Sequence, residues 1–297
     1  MKKIILIGLG SICKKHIFVL KKIKPSLKIF KISSREFNKY NLSKIEKLKI
    51  FDPEMIILCS PASKHFFQLK KIEKIFTNKK VLIEKPVFEK YYKIPKKLKN
   101  KYFVGYNLRF HPVLLFLRSF LKKKNIYLIN VFSQSYLPSW RKIDYKKSVS
   151  AKKKLGGGVL LELSHELDYL KWIFKSLKIS HTINRKISNL KIDTDDILNL
   201  TGKINRAILQ INLNFFSRIP NRSIKIDGNG FSLQADLIKN KIEIINNSKK
   251  IIKKFVNFRT IDTYKLQLKE IMTGKILNTC TIKESLELMK LISKIKN

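Results

Sequence analysis

Two groups of residues in this sequence have the types and spacing for chemistry. The sharper runs from 156 to 172, Gly-Gly-Gly-Val-Leu-Leu-Glu-Leu-Ser-His-Glu-Leu-Asp-Tyr-Leu-Lys-Trp. Glu162 precedes His165 by three residues and Asp168 follows it by three, so on a helix all three share a face. A carboxylate beside an imidazole orients the ring and raises its basicity, which suits general acid–base work. A solitary histidine on a helix is more often a satisfied structural residue; the glycine run and the flanking acids favour chemistry here. The second group is Glu84-Lys85-Pro86, directly after the apolar run Val81-Leu82-Ile83. An ammonium at the end of a buried strand can stabilise a developing negative charge. In so lysine-rich a chain the tripeptide alone carries little weight.

A third feature could hold the reagent for such chemistry. Gly8-x-Gly10-x-x-Cys13 follows the apolar run Ile4–Ile7 and precedes helically spaced Ile12, Cys13, Ile17 and Leu20. The first glycine permits a tight turn and the second lets a diphosphate approach the backbone. Ser11 and Ile12 then open a helix whose free N–H groups and dipole face the phosphates. The third position usually holds Gly or Ala; Cys13 is small enough to replace them. A structural turn in another α/β fold is the bland alternative. At the end of the second expected strand stand Ser33, Ser34 and Arg35. Hydroxyls and a guanidinium suit a 2′-phosphate, so NADP is favoured over NAD. Glu36 next door could instead hold the ribose of NAD.

These groups need elements to position them. The pattern predicts strands at 3–7, 27–32, 55–59, 81–83 and 102–106, with helices at 11–23 and 64–76 between them. Alternating strands and helices predict a doubly wound parallel sheet, an α/β Rossmann domain over 1–115. From about residue 125 the strands lengthen and alternate, at 127–134, 197–203, 207–215, 223–227, 231–235 and 241–245. They predict an α+β C-terminal domain over 116–297 with a mostly antiparallel open sheet, one helix at about 156–175, and a last helix at 282–295 able to pack back on the first domain. Thr281 and Glu284 have capping-box spacing at the start of that last helix.

The 297 residues carry 64 Lys and Arg against 21 Asp and Glu, a net charge of +43. A polyanion partner is one explanation. Another is compositional drift toward A/T-rich codons with a preference for anionic ligands; lysines spread along the chain with no basic arm favour this second one. Nucleic acid is therefore not expected as the main partner. The three cysteines are widely spaced in apolar contexts, as in a reducing compartment, and no metal-ligand spacing is visible. The N-terminal apolar run is only a strand long, so no membrane span or signal peptide is expected, and the cytoplasm is the default location.

Taken in order, the motifs resemble those of the glucose–fructose oxidoreductase/inositol dehydrogenase/MocA family. The resemblance covers essentially the whole chain. It rests on Gly8 and Gly10, Ser60-Pro61 followed by His65, Glu84-Lys85-Pro86, Tyr106-Asn107-x-Arg109-Phe110, and the block from Gly156 to Trp172. It implies hydride transfer between a nicotinamide, NADP or NAD, and a carbinol carbon of a sugar, cyclitol or sugar nucleotide. Lys85 and His165 would be the catalytic lysine and acid–base histidine. Ser60, Pro61, His65 and Glu84 would line the cofactor; Asn107, Arg109 and Asp168 would meet substrate. The family commonly places Asp four residues before the histidine; here Glu162 stands three before it, which puts a proton-relay role for Glu162 in doubt. Trp140 and Arg141, with Tyr145 following, are expected to set substrate selectivity, since Trp offers a face to a sugar ring and Arg a fork to carboxylate or phosphate. Similar segments occur in family members associated with bacterial cell-surface sugars. The resemblance also implies a homodimer or homotetramer built through the open sheet. Rival readings are a nucleotide-sensing or basic nucleic-acid-binding protein on the same fold, and a redox-assisted lyase or hydrolase.

Overall fold

The computed structural model describes residues 2–34 and 47–296. The chain divides into two compact units, Met1–Asn107 with Thr260–Leu291, and Leu108–Arg259 with Ile292–Asn297. The chain crosses after Asn107, against an expected boundary at 115, and returns at Thr260, ahead of the last helix at 282–295 that the sequence reading let pack back on the first domain.

The first unit is built on β1 (Lys3–Ile7), β2 (Lys28–Ile32), β3 (Met55–Leu58), β4 (Lys80–Ile83) and β5 (Lys101–Val104). These five are parallel in the order β5-β4-β3-β1-β2. A two-residue strand, Cys280–Thr281, adds antiparallel to β5. β1, β3 and β4 are near-continuous runs of Ile, Leu, Val and Met because both sheet faces are covered. The covering helices are α1 (Ser11–Ile23) and α2 (Ala62–Ile75). Leu268 and Ile271, from a helix at Thr260–Thr273, join Leu20, Ile4 and Ile57 in one cluster. From β1 the chain first goes to β2 on one side and then to β3 on the other. That reversal leaves a crevice at the carboxyl ends of β1 and β3, where doubly wound sheets take ligands.

The second unit holds β6 (Ile126–Tyr136), β7 (Lys178–Arg185), β8 (Ile197–Ile204), β9 (Ala207–Asn214), β10 (Phe216–Gly228), β11 (Phe231–Asp236), β12 (Lys241–Asn246) and β13 (Lys249–Lys254). The sheet order is β13-β12-β11-β10-β6-β9-β8-β7, antiparallel except for β6 beside β9. In β9, Ala207, Leu209, Ile211 and Leu213 are buried while Ile208 and Gln210 are exposed. Period-two alternation is what a sheet with one covered face requires. Helices α3 (Pro112–Phe120), α4 (Val159–Glu162) and α5 (His165–Phe174) belong to this unit.

Among the described elements, β7, β13, the short strand Cys280–Thr281 and the helix at Thr260–Thr273 escaped the sequence reading. β13 reads Lys-Lys-Ile-Ile-Lys-Lys and is exposed throughout, so it has no alternation to detect. The single helix expected over 156–175 is two, with Leu163 and Ser164 breaking it between Glu162 and His165. Glu162 therefore does not share a continuous helical face with His165. The last helix, α7, spans Ile282–Lys296. Its capping box forms: Glu284 N donates to Thr281 Oγ1 at 3.3 Å, and Thr281 N to Glu284 Oε2 at 2.9 Å.

Candidate active site

In the first unit the glycine turn has the geometry a dinucleotide needs. Gly8 has φ +104, and a Cβ there would lie 2.7 Å from the Ser60 nitrogen. The β1 and β3 turns thus touch through their backbones, and only glycine fits. Gly10 differs, since a Cβ on it would meet nothing within 4 Å. Its freedom is room for a ligand, not for a protein neighbour. Gly10 is the N-cap of α1 and offers no side-chain cap, and no acid occupies the first turn. The N–H groups of Ser11 and Ile12 are therefore presented to an anion with the helix dipole behind them. These features fit a diphosphate.

The cysteine that replaces the usual small residue packs inward. Cys13 is buried and its thiol lies against that of Cys59, at the end of β3. The Cys13 thiol beside it and burial push the Cys59 thiol up. At the end of β2, Ser33 and Ser34 are half-buried, and Lys64 Nζ donates to Ser34 Oγ at 3.3 Å. Lys64 is a cation beside the expected ribose site that the sequence reading missed, because it comes from α2. Arg35 and Glu36 lie outside the described residues.

Four residues expected to line the cofactor have protein partners. Ser60 Oγ donates to Gln68 Oε1 at 2.6 Å, and Pro61 is the N-cap of α2. His65 is 1% exposed. Its Nε2 lies 2.8 Å from Ser60 O, and its Nδ1 lies 3.2 Å and 3.1 Å from the carbonyls of Pro86 and Val87. Burial lowers the His65 pKa, against those carbonyls, which favour the proton. With both ring nitrogens facing main-chain oxygen, His65 ties the Ser60 and Pro86–Val87 loops together. Glu84 likewise has protein neighbours. Its Oε1 is 2.6 Å from Nε2 of fully buried His16, and its Oε2 lies 2.9 Å from where a Gly105 Cβ would sit. Lys85, between Glu84 and Pro86, is half-buried at the carboxyl end of β4, and the Lys85–Pro86 peptide bond is cis. Asn107 is buried and its amide donates to Thr263 Oγ1 at 2.5 Å.

In the second unit, His165 is the first residue of α5 and 9% exposed. Arg109 and Asp168 meet: Nε to Oδ2 is 2.9 Å and the second contact to Oδ1 is 2.8 Å. Each residue is 3% exposed. So deeply buried a bidentate pair sets the two charges against each other, so the two residues expected at the substrate meet as one hydrogen-bonded unit. The Arg118 guanidinium stacks over the Trp172 ring at 4.3 Å on the same helix pair. The glycine run before α4 also has protein neighbours. A Cβ on Gly157 would meet the Val149 carbonyl at 2.3 Å, and one on Gly158, at φ +107, would meet the Asp195 carboxylate at 2.2 Å. Asp195 accepts from Leu160 N at 2.9 Å and so caps α4, and burial raises its pKa. What approaches the glycine backbone is Asp195 and the 149–150 segment.

Trp140, Arg141 and Tyr145 do come together, around a hollow shared with Leu137 and Ile143. Trp140 is edge-on to Phe215 and donates to Ser135 Oγ at 2.9 Å; the Tyr145 hydroxyl accepts from Lys191 N at 3.1 Å. A second buried cluster was not foreseen. Glu166, fully buried, accepts from Arg222 Nε at 2.8 Å, and burial followed by the Arg222 charge pushes His111 down to about 4. Among the described residues there is no group of three or more acids, histidines or cysteines able to hold a metal, and no helix long and apolar enough to cross a membrane.

No family model matches the sequence, and no curated protein matches it. Solved structures do match over nearly the whole chain. The WlbA dehydrogenase of Bordetella pertussis, in complex with NADH and UDP-GlcNAcA, aligns at TM-score 0.76 and 16% identity, covering 100% of this chain and 96% of that one. Levoglucosan dehydrogenase in complex with NADH aligns at 0.82 and 12% identity, covering 99% and 96%. A super-repressor mutant of Gal80p from Saccharomyces cerevisiae aligns at 0.78 and 13% identity, covering 99% and 95%. The chain has the two-domain fold of these proteins, with a parallel Rossmann sheet and a mostly antiparallel second sheet. That is the architecture the motif order implied.

Proposed function

We propose that the chain is a nicotinamide-dependent oxidoreductase that moves a hydride to or from a carbinol carbon of a sugar, cyclitol or sugar nucleotide. One observation carries this reading. The open Gly10 backbone and uncapped α1 terminus stand at the β1/β3 reversal, with Lys85 at the carboxyl end of β4, next in the sheet after β3. Two proteins of the same fold support it: the WlbA dehydrogenase, in complex with NADH and UDP-GlcNAcA, and levoglucosan dehydrogenase, in complex with NADH.

The nicotinamide, when bound, supplies the hydride acceptor or donor. Backbone N–H groups of Gly10, Ser11 and Ile12 hold the diphosphate. Ser33 and Ser34, with Lys64 donating to Ser34, and Arg35 next in sequence favour the 2′-phosphate of NADP, and NAD is the alternative. During oxidation His165 takes the hydroxyl proton as the hydride leaves carbon; during reduction it returns that proton. The Lys85 ammonium stabilises the developing alkoxide electrostatically. The Trp140, Arg141 and Tyr145 side chains set substrate selectivity, and an anionic group such as a nucleotide diphosphate suits Arg141 and a chain of net charge +43. A fluorescence titration with NADPH and NADH, followed by a thermal-shift screen of sugars and sugar nucleotides, identifies the ligands. With the substrate so found, Lys85→Ala should lower kcat by at least about a hundredfold while cofactor affinity stays within a few-fold. Turnover within a few-fold of the parent defeats the assignment.

The Gal80p likeness favours a second reading, a nucleotide-sensing regulator on the same fold. Tight dinucleotide binding with no turnover of any sugar would support it. The outer face of the second sheet, with Ile208, Ile183 and Ile245 exposed, is the surface proposed for a homodimer or homotetramer in the cytoplasm. Sedimentation as a monomer at working concentration refutes that assembly.

A further inference from the structure

Lys85 is bracketed by two buried imidazoles that come from different helices. On one side, Glu84 is held by His16 of α1, Nε2 to Oε1 at 2.6 Å. His16 has no exposed surface, and its ring stands edge-on to Tyr264 at 5.6 Å. The Glu84 carboxylate is pressed over Gly105, where a Cβ would lie 2.9 Å from Oε2, so the acid fits only because residue 105 lacks a side chain. On the other side, the carbonyls of Pro86 and Val87 lie 3.2 Å and 3.1 Å from Nδ1 of His65 on α2, whose Nε2 is anchored on Ser60 O. A buried imidazole between two fixed partners has one ring orientation that satisfies both, so it transmits position from helix to loop. Glu84 N also donates to Leu58 O at 3.0 Å, fixing the acid's own backbone.

We infer that His16 and His65 are positioning residues for Lys85: through Glu84 and through the Pro86 and Val87 carbonyls, they hold the backbone on both sides of the lysine so that its ammonium is presented to the nicotinamide in one place. The inference rests on the reading of Lys85 as the group beside the cofactor. It assigns the two histidines no contact with substrate or dinucleotide. It also gives Gly105 a reason that its own position in the chain does not reveal.

The test needs no substrate. Lysines of the protein are reductively methylated with formaldehyde and cyanoborohydride, with and without saturating NADH (NADPH where it binds more tightly), and the rate at Lys85 is read by peptide mass spectrometry against exposed Lys122 and Lys123. An ammonium fixed beside bound cofactor should be methylated at least about fivefold more slowly with NADH present, as expected for a pre-organised contact. His16→Leu and His65→Leu should cut that protection to under about twofold while NADH affinity, read by fluorescence, stays within about threefold. His16→Gln, which keeps an N–H donor toward Glu84, should restore most of it. Gly105→Ala leaves both histidines in place but displaces the Glu84 carboxylate, and should reproduce the loss even if the leucine variants fail to fold. If neither NADH nor NADPH, whichever binds, protects Lys85 in the parent protein, the reading of Lys85 itself fails. If the parent is protected and Gly105→Ala and the folded histidine variants are protected equally, the positioning role is overturned.

Discussion

Removing the Asp168 carboxylate should cost the second unit much of its stability, and removing Arg109 with it should not. The two side chains are 3–4% exposed and share two hydrogen bonds of 2.8–2.9 Å. Asp168→Ala leaves a guanidinium in a site without bulk water, at a cost of about 3–5 kcal/mol. For a unit of this size each kcal/mol moves the midpoint about 2–4 °C, so the loss should lower Tm by about 10 °C. The double variant Arg109→Met/Asp168→Leu fills similar volume and leaves no charge, so its stability should return to within about 1–2 kcal/mol of the parent. The assay is built into the sequence. The only two tryptophans are Trp140 and Trp172, both in the second unit, so their fluorescence follows its unfolding without interference from the first. If Asp168→Ala loses less than about 1 kcal/mol in urea unfolding, or the double variant loses the sum of the two singles, the buried pair is not the structural element described.

Two further perturbations follow from named contacts. His111 has its pKa depressed to about 4 by burial and then by Arg222, and its Nδ1 accepts from Val113 N at 3.3 Å as the cap of α3. The neutral ring is the folded form, so its stabilisation is present above the unfolded value near 6.5 and is lost as pH falls from there to about 4. Up to about 3 kcal/mol is at stake on the linkage relation, and His111→Asn should flatten tryptophan-detected stability over that window; an unchanged slope contradicts the assignment. Gly8→Ala combines a strained φ of +104 with a Cβ 2.7 Å from backbone nitrogen, which cannot rotate away. NADH and NADPH affinity should both fall at least about tenfold, and unaltered titrations would show that the turn does not hold the diphosphate.

The first unit was legible because its signals are local. Strand runs such as Ile4–Ile7, the two glycines after them and the helical spacing of Ile12, Cys13, Ile17 and Leu20 lie within one stretch of chain. The Thr281–Glu284 box is closed by residues three apart. Periodicity, turn chemistry and caps are decided over a few residues, so the sequence carries them openly. The lysine-rich edge strand β13 was invisible for the same reason, since an element exposed on both faces leaves no pattern.

Partner choice is another matter. His16 and Glu84 are 68 residues apart and Arg109 and Asp168 are 59 apart, and each pair is one hydrogen-bonded unit. The family resemblance placed Glu84 at the cofactor and Arg109 and Asp168 at the substrate; that Glu84 meets His16 and that Arg109 meets Asp168 is visible only in the folded chain. The run Gly156–Gly158 was correctly read as a place of close approach, but only the fold could say that Asp195, not a ligand, approaches. The sequence alone determined the alternating strands and helices of the first unit, the glycine turn after β1 and the candidates Lys85 and His165. Tertiary structure decided which polar groups are already satisfied, because burial makes each unpaired donor or acceptor costly and the folded chain meets that demand across long separations.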